Sequence, residues 1–349
     1  MANESFYAGA VKIFRDGVEL GPDIMSNIYS VIVEDEINLP TMFSIAIGMQ
    51  DIEQGEWRGI DMNSFSPGDE IKIEMGLNET QSIVTGEIVS IEPHFDNPAI
   101  LELHGFDFMH RMRFGTYRRS FQQIKDSDLA SQFAQDAGMS AEVDDTDTIH
   151  PYLFQNNISN YDFLLTRANQ IDYELIVEDN RLMFKRSGVD GEPVASLAYG
   201  IDLVKFSAKL TALPKGGEIE VRGWDVAKKE EITATARSGS ERTLMGGAKS
   251  GYAWSESFGP SNDAIIDQII IDVQDAEKKA KASYNRQLMN FIKGKGETIG
   301  NPLLRRGKTV EFTGLGDKFS GIYYIVGSKH VYRFDEGYTT VFSVRRTGI

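Results

Sequence analysis

The 349 residues predict a mainly β chain with α+β parts: two related tube-like β-barrels, a small α/β module and one long helix. Three observations carry that reading. Period-2 alternation of apolar and polar residues fills both ends of the sequence, the signature of half-buried strands. Helical spacing is confined to a few interior stretches. A segment that begins near Gly68 recurs near Gly307.

The elements follow in order. VKIFRDGVEL sets the turn dipeptide Asp16-Gly17 between two extended runs, the usual hairpin signal. IYSVIVEDE, TMFSIAIGM, DEIKIEMGL, SIVTGEIVSIE and ILELHGFDF come next, each bounded by Gly, Pro, Asn or Asp. Residues 5–110 therefore read as all-β. Aromatic and β-branched side chains on one face of every run suggest a closed barrel or sandwich, assigned to residues 1–113. The pattern changes after Phe114. Asp126-Ser127 offers a cap for a helix carrying Leu129, Phe133 and Ala137, with Gly138 at its end. A second helix is expected from Ser159 or Asn160, burying Phe163, Leu164 and Ala168, and YELIVEDNRLMFKR reads as a hairpin turning at Asp179-Asn180. These make the α/β module, residues 114–194.

Alternation resumes in IDLVKFSAKLTA, GEIEVRGWDV and EEITATA, and again from Arg306 to Arg346. The second barrel is accordingly expected from residues 195–236 and 305–349. Between them, residues 237–304 read as an insertion: a Gly/Ser loop from Ser238 to Gly251, then a long helix. Its apolar stripe runs through Ile266, Ile270, Val273, Ala276, Ala280, Tyr284, Leu288 and Phe291, with Glu277, Lys278 and Lys281 facing outward.

The repeat ties the two β regions together. PGDEIKIEMGL and RRGKTVEFTGL share an opening Gly, alternating apolar positions and a closing Gly-Leu, Gly76-Leu77 and Gly314-Leu315. The separations 307 − 68 and 335 − 96 are both 239. Upstream, Leu39-Pro40 matches Leu213-Pro214 at an offset of 174, so the second copy is expected to carry about 65 extra residues. Two barrels in each of three subunits give six similar positions around an axis, which lets a trimer meet a six-fold ring.

Composition narrows the function. The net charge of −16 argues against broad contact with nucleic-acid phosphates, and it serves either solubility or an acidic partner patch. Cysteine is absent, which removes disulfides, thiolate zinc sites and cysteine nucleophiles. No apolar run is long enough for a membrane helix, and MANESFYAGA lacks the form of a signal peptide. Assembly in the cytoplasm is expected.

No constellation of catalytic residues emerges, so no enzyme, cofactor or metal is expected. His94, His104, His110, His150 and His330 form no ligand spacing and read as strand or turn residues. Asp144, Asp145 and Asp147 cluster in a loop where calcium could bind, but the EF-hand pattern is missing and a solvated turn is preferred. Arg111, Arg113, Arg118 and Arg119, interleaved with Phe114 and Tyr117, would suit single-stranded nucleic acid; a protein partner is preferred, since arginine and tyrosine favour interfaces.

Three segments carry a family resemblance: GETIGNPLLRRGKTVEFTGLGDKFSGIYYIVGSKHVYRFDEGYTTVFSVRR, NNISNYDFLLTRANQIDYELIVEDNRLMFKR and PGDEIKIEMGL. Together they resemble the phage late control gene D family, the tail hubs of contractile phages, which is similar to the hub portion of type VI secretion spike proteins. The resemblance implies a homotrimeric baseplate hub in a virion or injection particle. Its partners would be the tail tube or tube initiator, the baseplate wedges and a spike. Because the sequence ends at Ile349, just after the last barrel strand, the spike is expected to be a separate polypeptide. The alternatives are a tail-associated glycan or peptidoglycan hydrolase, which needs paired carboxylates across a cleft, and a peripheral receptor-binding β protein.

Overall fold

The computed structural model describes residues 9–51, 56–57, 64–213, 216–225, 228–255 and 260–349. The first strand, β1 (Gly9–Arg15), turns at Asp16-Gly17 into β2 (Val18–Glu19). Both turn residues have positive φ, 49° and 80°, as a two-residue hairpin requires. One helical turn, α1 (Pro22–Met25), leads into β3 (Ile28–Glu36) and β4 (Met42–Gly48). The short pair β5 (Gln50–Asp51) and β6 (Glu56–Trp57) precedes β7 (Glu70–Leu77), β8 (Glu79–His94) and β9 (Ile100–Asp107). Alternate residues of these strands, among them Val31, Val33, Phe43, Ile45, Ile71, Ile73, Leu101 and Leu103, gather into one core.

A 3-10 helix, Phe108–Arg113, capped by the Asp107 carboxylate on the Met109 amide at 3.0 Å, leads into the next region. There β10 (Tyr117–Ile124), α2 (Asp126–Asp136), β11 (Ser140–Val143), β12 (His150–Ile158), α3 (Asn160–Ile171), β13 (Tyr173–Glu178) and β14 (Arg181–Arg186) enclose Phe121, Leu129, Phe133, Leu164 and Phe184. Local signals decide these boundaries. Ser159 caps α3 by accepting from the Asp162 amide at 3.0 Å, Gly138 ends the α2 turn at φ 76°, and Asp179 turns the hairpin at φ 51°. The cap of α2 is Lys125 rather than Asp126, with Asp128 accepting the Lys125 amide at 3.3 Å.

The remaining elements are β15 (Pro193–Ala198), β16 (Leu203–Leu210), β17 (Gly216–Asp225), β18 (Glu230–Arg237), α4 (Gly251–Trp254), β19 (Pro260–Ile265), α5 (Val273–Leu288), β20 (Ile292–Ile299), β21 (Thr309–Thr313), β22 (Gly321–Arg333) and β23 (Gly337–Arg346). No helix among the described residues is long and apolar enough to cross a membrane.

Thirteen strands share one sheet, ordered β16-β20-β23-β22-β3-β4-β9-β8-β7-β1-β2, with β21 and β15 branching from β22. The same order occurs twice: β3-β4-β9-β8-β7-β1 and β16-β20-β23-β22-β21-β15. Even the bulges match. One falls between Ile28 and Ser30 and again between Leu203 and Lys205; another falls between Ile88 and Ser90 and again between Ile325 and Gly327. The copies differ in their last strand, since β1 runs antiparallel to β7 whereas β15 runs parallel to β21.

Several expectations need correction. Two separate closed barrels are not what the strands form: among the described residues the ladder is one open path, with the copies joined edge to edge through β22 and β3. Next, β17 and β18 leave the second β region for a separate sheet with β19, because Ile219, Val221, Ile232 and Ala234 bury themselves against Ala276, Ala280 and Tyr284 of α5. In exchange β20, expected inside the insertion, belongs to the large sheet. Ile28 and Leu203 are 175 apart and Ile47 and Thr298 are 251 apart, so the extra chain in the second copy is 76 residues rather than 65. Finally, α5 starts at Val273 with Asp272 as its cap, so Ile266 lies outside the helix and is 72% exposed. Ile270 packs instead on Gly223, where a Cβ would come within 2.5 Å of it. Residues 1–8 of the first expected barrel, and Pro214 of the upstream match, lie outside the described residues.

Candidate assembly site

The place where the copies join is built by one long strand that changes partners. Gly321–Tyr324 of β22 pair with β21, the strand bulges after Ile325, and Gly327–Arg333 then pair with Glu36–Ser30 of β3. On its surface Lys329 meets Glu34 at 2.6 Å. Beneath lies Asp35, which accepts from the Ser328 amide at 2.9 Å, the Ser328 hydroxyl at 2.6 Å and Arg305 Nε at 2.7 Å. Burial pushes the Asp35 carboxyl up, but Arg305, Arg306 and His330 outweigh it and hold the pKa at about 2. His330 is fully buried beside it, and burial with Arg305 drives its pKa down to about 3.

Asp35, Ser328 and His330 have the composition of a hydrolase triad without its wiring. Ser328 Oγ is 3.1 Å from His330 Nε2, yet the serine proton goes to Asp35, and His330 Nδ1 faces the Tyr338 hydroxyl at 2.7 Å. The carboxylate therefore orients the serine and not the histidine, and all three are closed to solvent. The cluster fastens strands.

Arg306 extends that fastening. It is 2% exposed and reaches the Thr41 hydroxyl, Asp107 Oδ2 at 3.4 Å and the Val177 carbonyl at 3.2 Å, so the second copy grips the first copy and β13 at once. Burial pushes Asp107 up, against Arg306 and the Thr41 amide. Asn38, in the turn between β3 and β4, completes the joint: its Oδ1 accepts from the Leu175 amide at 2.7 Å and its carbonyl from the Tyr161 hydroxyl at 2.6 Å.

A cavity of about 220 Å³ opens where β22, β13 and α5 converge, lined by Asp172, Glu174, Arg242, Arg286 and Tyr324. Tyr324 donates to Glu174 at 2.5 Å, and burial raises the Glu174 pKa to about 7. Asp172 is also pushed up by burial, with Arg242 opposing. Nearby, α3 packs on α5 over a second buried charge cluster. Arg167 holds Asp126 at 2.7 Å, His150 Nε2 lies 3.1 Å from the same carboxylate, and Lys279 pairs with Asp275 at 2.8 Å.

The other residues singled out in the sequence are largely spent within the chain. Arg111 pairs with Glu87 and lies 4.6 Å over Phe108; Arg113 lies over Tyr161, and Arg118 over Phe154. Arg119 donates to Gln155 at 2.9 Å and Asn160 at 2.7 Å. The arginine cluster thus consolidates the α/β region, leaving Phe114 and Tyr117 exposed. Asp145 pairs with Lys125 at 2.8 Å, Asp147 lies 3.6 Å from Lys278, and Asp144 accepts the Arg186 amide at 3.2 Å. Among the described residues no group of three or more His, Cys, Asp or Glu is placed to hold a metal ion. His110 sits under the first copy with Nδ1 2.7 Å from the Asp107 carbonyl; His94 and His104 stand on the exposed face near Glu102, at 4.0 and 3.4 Å. Sequence reasoning missed Asp35, Asp107, Arg305 and Arg306, whose one local signal is the Arg-Arg pair that opens the second repeat.

A family model described as the Alg8 N-terminal domain matches residues 8–333. The chain belongs to that family. No curated protein sequence matches. Its fold is shared with phage tail proteins. The 43 kDa tail protein of prophage MuSo2 from Shewanella oneidensis is similar at TM-score 0.71 and 11% identity, over 97% of this chain and 98% of that one. A tail protein from Neisseria meningitidis MC58 gives 0.70 and 12%, covering 97% of each. The E. coli c3393 protein, a type VI secretion component described as similar in structure to T4 tail proteins gp27 and gp5, gives 0.61 and 9%, over 97% and 77%.

Proposed function

We propose that this protein is the structural hub of a contractile phage-type tail or injection-system baseplate, of the kind the late control gene D resemblance implies. It would act as a homotrimer that adapts a six-fold tail tube to a three-fold spike. The observation that carries the reading is the doubled strand order within one sheet. Three copies present six similar β units, each an arc of a tube whose closure comes from assembly. The likeness in fold to tail proteins supports it. The partners are a spike, the tube or its initiator and the baseplate wedges, met during assembly in the bacterial cytoplasm. Neither nucleic-acid binding nor catalysis is part of the role.

Native mass spectrometry of the protein, alone and with its spike and tube partners, tests this directly. Three copies per complex are expected; a chain that stays monomeric with every partner sinks the reading. For the hydrolase alternative, a candidate pair of carboxylates is Asp172 and Glu174 in the cavity. Cell-wall turnover abolished by Glu174→Gln would favour it.

A further inference from the structure

The strand junction that the chain makes within itself specifies a second junction that it lacks. Equivalent residues are fixed by the matching bulges: Val89 and Val326 are 237 apart, and Tyr29 and Val204 are 175 apart. Applying those offsets to the ladder from Gly327↔Glu36 to Arg333↔Ser30 gives a new ladder from Ser90↔Thr211 to Asp96↔Lys205. Among the described residues no strand pairs with either of its edges. On the β7 side of β8 the backbone bonds end at Ile88, which pairs with Gly68 and Asp69; beyond it, among the described residues, β8 pairs with β9, and beyond the Leu203–Tyr199 bridge β16 pairs with β20.

The geometry points to antiparallel pairing of β16 from one copy with Ser90–Asp96 of the next. Three such joints alternate with the three internal ones and close six β units into a ring. This inference rests on the trimeric hub reading and supplies its interface.

Two features agree with the transferred register. The first is the direction of the backbone groups. Met49 N donates to Ala99 O, so in β9 the odd residues bond β4 and the even ones bond β8. In β8 that leaves Ile91 and Pro93 pointing outward. Thr211 N donates to Phe291 O, which leaves Leu210 and Ala208 pointing outward from β16. The register sets Ile91 against Leu210 and Pro93 against Ala208, so outward groups meet outward groups; a shift of one residue would destroy the match.

The second feature is charge. The Lys329–Glu34 pair of the internal seam becomes Glu92 opposite Lys209, the same pair with its signs exchanged. Within the chain Glu92 faces Glu102 across β9, a like-charge pair that Lys209 would offset. Pro93 brings no N–H, so one rung lacks a donor, and the same residue keeps a free edge from pairing indiscriminately before assembly.

The full chain has no cysteine, which makes disulfide trapping clean. Glu92 and Lys209 would form a non-hydrogen-bonded pair with Cα atoms about 4.5 Å apart, within disulfide reach. On oxidation of the assembled hub, Glu92→Cys with Lys209→Cys is expected to give covalent dimers and closed trimers, and Glu92→Cys with Ser207→Cys is expected to give none. E92K and K209E should each weaken the trimer at least tenfold while leaving the circular dichroism of the subunit unchanged, and the double variant should restore it. A trimer by mass that never crosslinks at 92 and 209, or one that both reversals leave intact, overturns this interface and leaves the hub reading standing. Absence of any trimer with all partners present overturns both.

Discussion

At the seam inside the chain, Asp35 faces Ser328 and two arginines cross from the second copy to carboxylates of the first. At the equivalent open edges the residues are Leu210 and Ile91, and the positions matching Arg305 and Arg306 are Ser66 and Pro67, 239 residues earlier. The seam is therefore fastened by buried charge, while the edges carry apolar contacts and only exposed charges, Glu92 and Asp96 on one strand and Lys205 and Lys209 on the other. The difference fits two kinds of joint. A seam formed once, during folding, can bury ions because their partners arrive together; an edge that waits in water cannot leave a buried charge unpaired.

The strongest way to break this contrast is Arg306→Ala, which strands the Asp107 carboxylate in the core. A loss of about 3–5 kcal/mol in denaturant unfolding is expected, and a loss under about 1 kcal/mol would mean that the charge fastening is decorative.

Acidity sharpens it next. His330, lowered to about 3 from 6.5, and Asp35, lowered to about 2 from 3.8, bind protons more readily when unfolded. Their contribution is complete above pH 6.5 and falls away as pH drops toward 3 and below. Glu174 works the other way: raised from 4.5 to about 7, it contributes fully below pH 4.5 and loses that contribution as pH rises to 7. Glu174→Gln should flatten that limb by about 3 kcal/mol in a pH series of thermal or urea unfolding, leaving the acid limb unchanged.

A smaller effect compares the copies at one rung. Phe43 faces Gly105 in the first, Gly294 faces Val344 in the second, so the large side chain has moved to the opposite strand. A Cβ on Gly105 would lie 2.3 Å from the Glu87 carbonyl oxygen, whereas one on Gly294 would lie 2.8 Å from the tip of the Phe206 ring. Gly105→Ala should cost about 2–3 kcal/mol and Gly294→Ala about 1, since a ring can move and the backbone cannot. Equal losses would break the equivalence. The smallest change is Lys329→Ala at the exposed face of the seam, expected to cost under about 1 kcal/mol by the same unfolding measurement.

What could be read in advance was what short segments determine. The Asp16-Gly17 turn, the helix start at Ser159 and most strands of the two repeats, though not β15 or β20, follow from dihedral preference, local hydrogen bonding and period-2 patterning, all of which act within a few residues. Of the site, the Arg305-Arg306 pair was visible, yet Arg305 and Asp35 are 270 residues apart and no local rule couples them.

Alternation in β17 and β18 announced strands but could not say which sheet would take them, because a strand's pattern fixes its buried face and leaves its neighbour open. That choice fell to α5, whose apolar stripe needed a sheet to cover. The sequence by itself thus determined that the chain is β-rich and doubled. Only the tertiary structure decided that the copies share one sheet, where the seam lies and which edges stay open, since edge-to-edge pairing depends on backbone groups that every residue but proline carries alike.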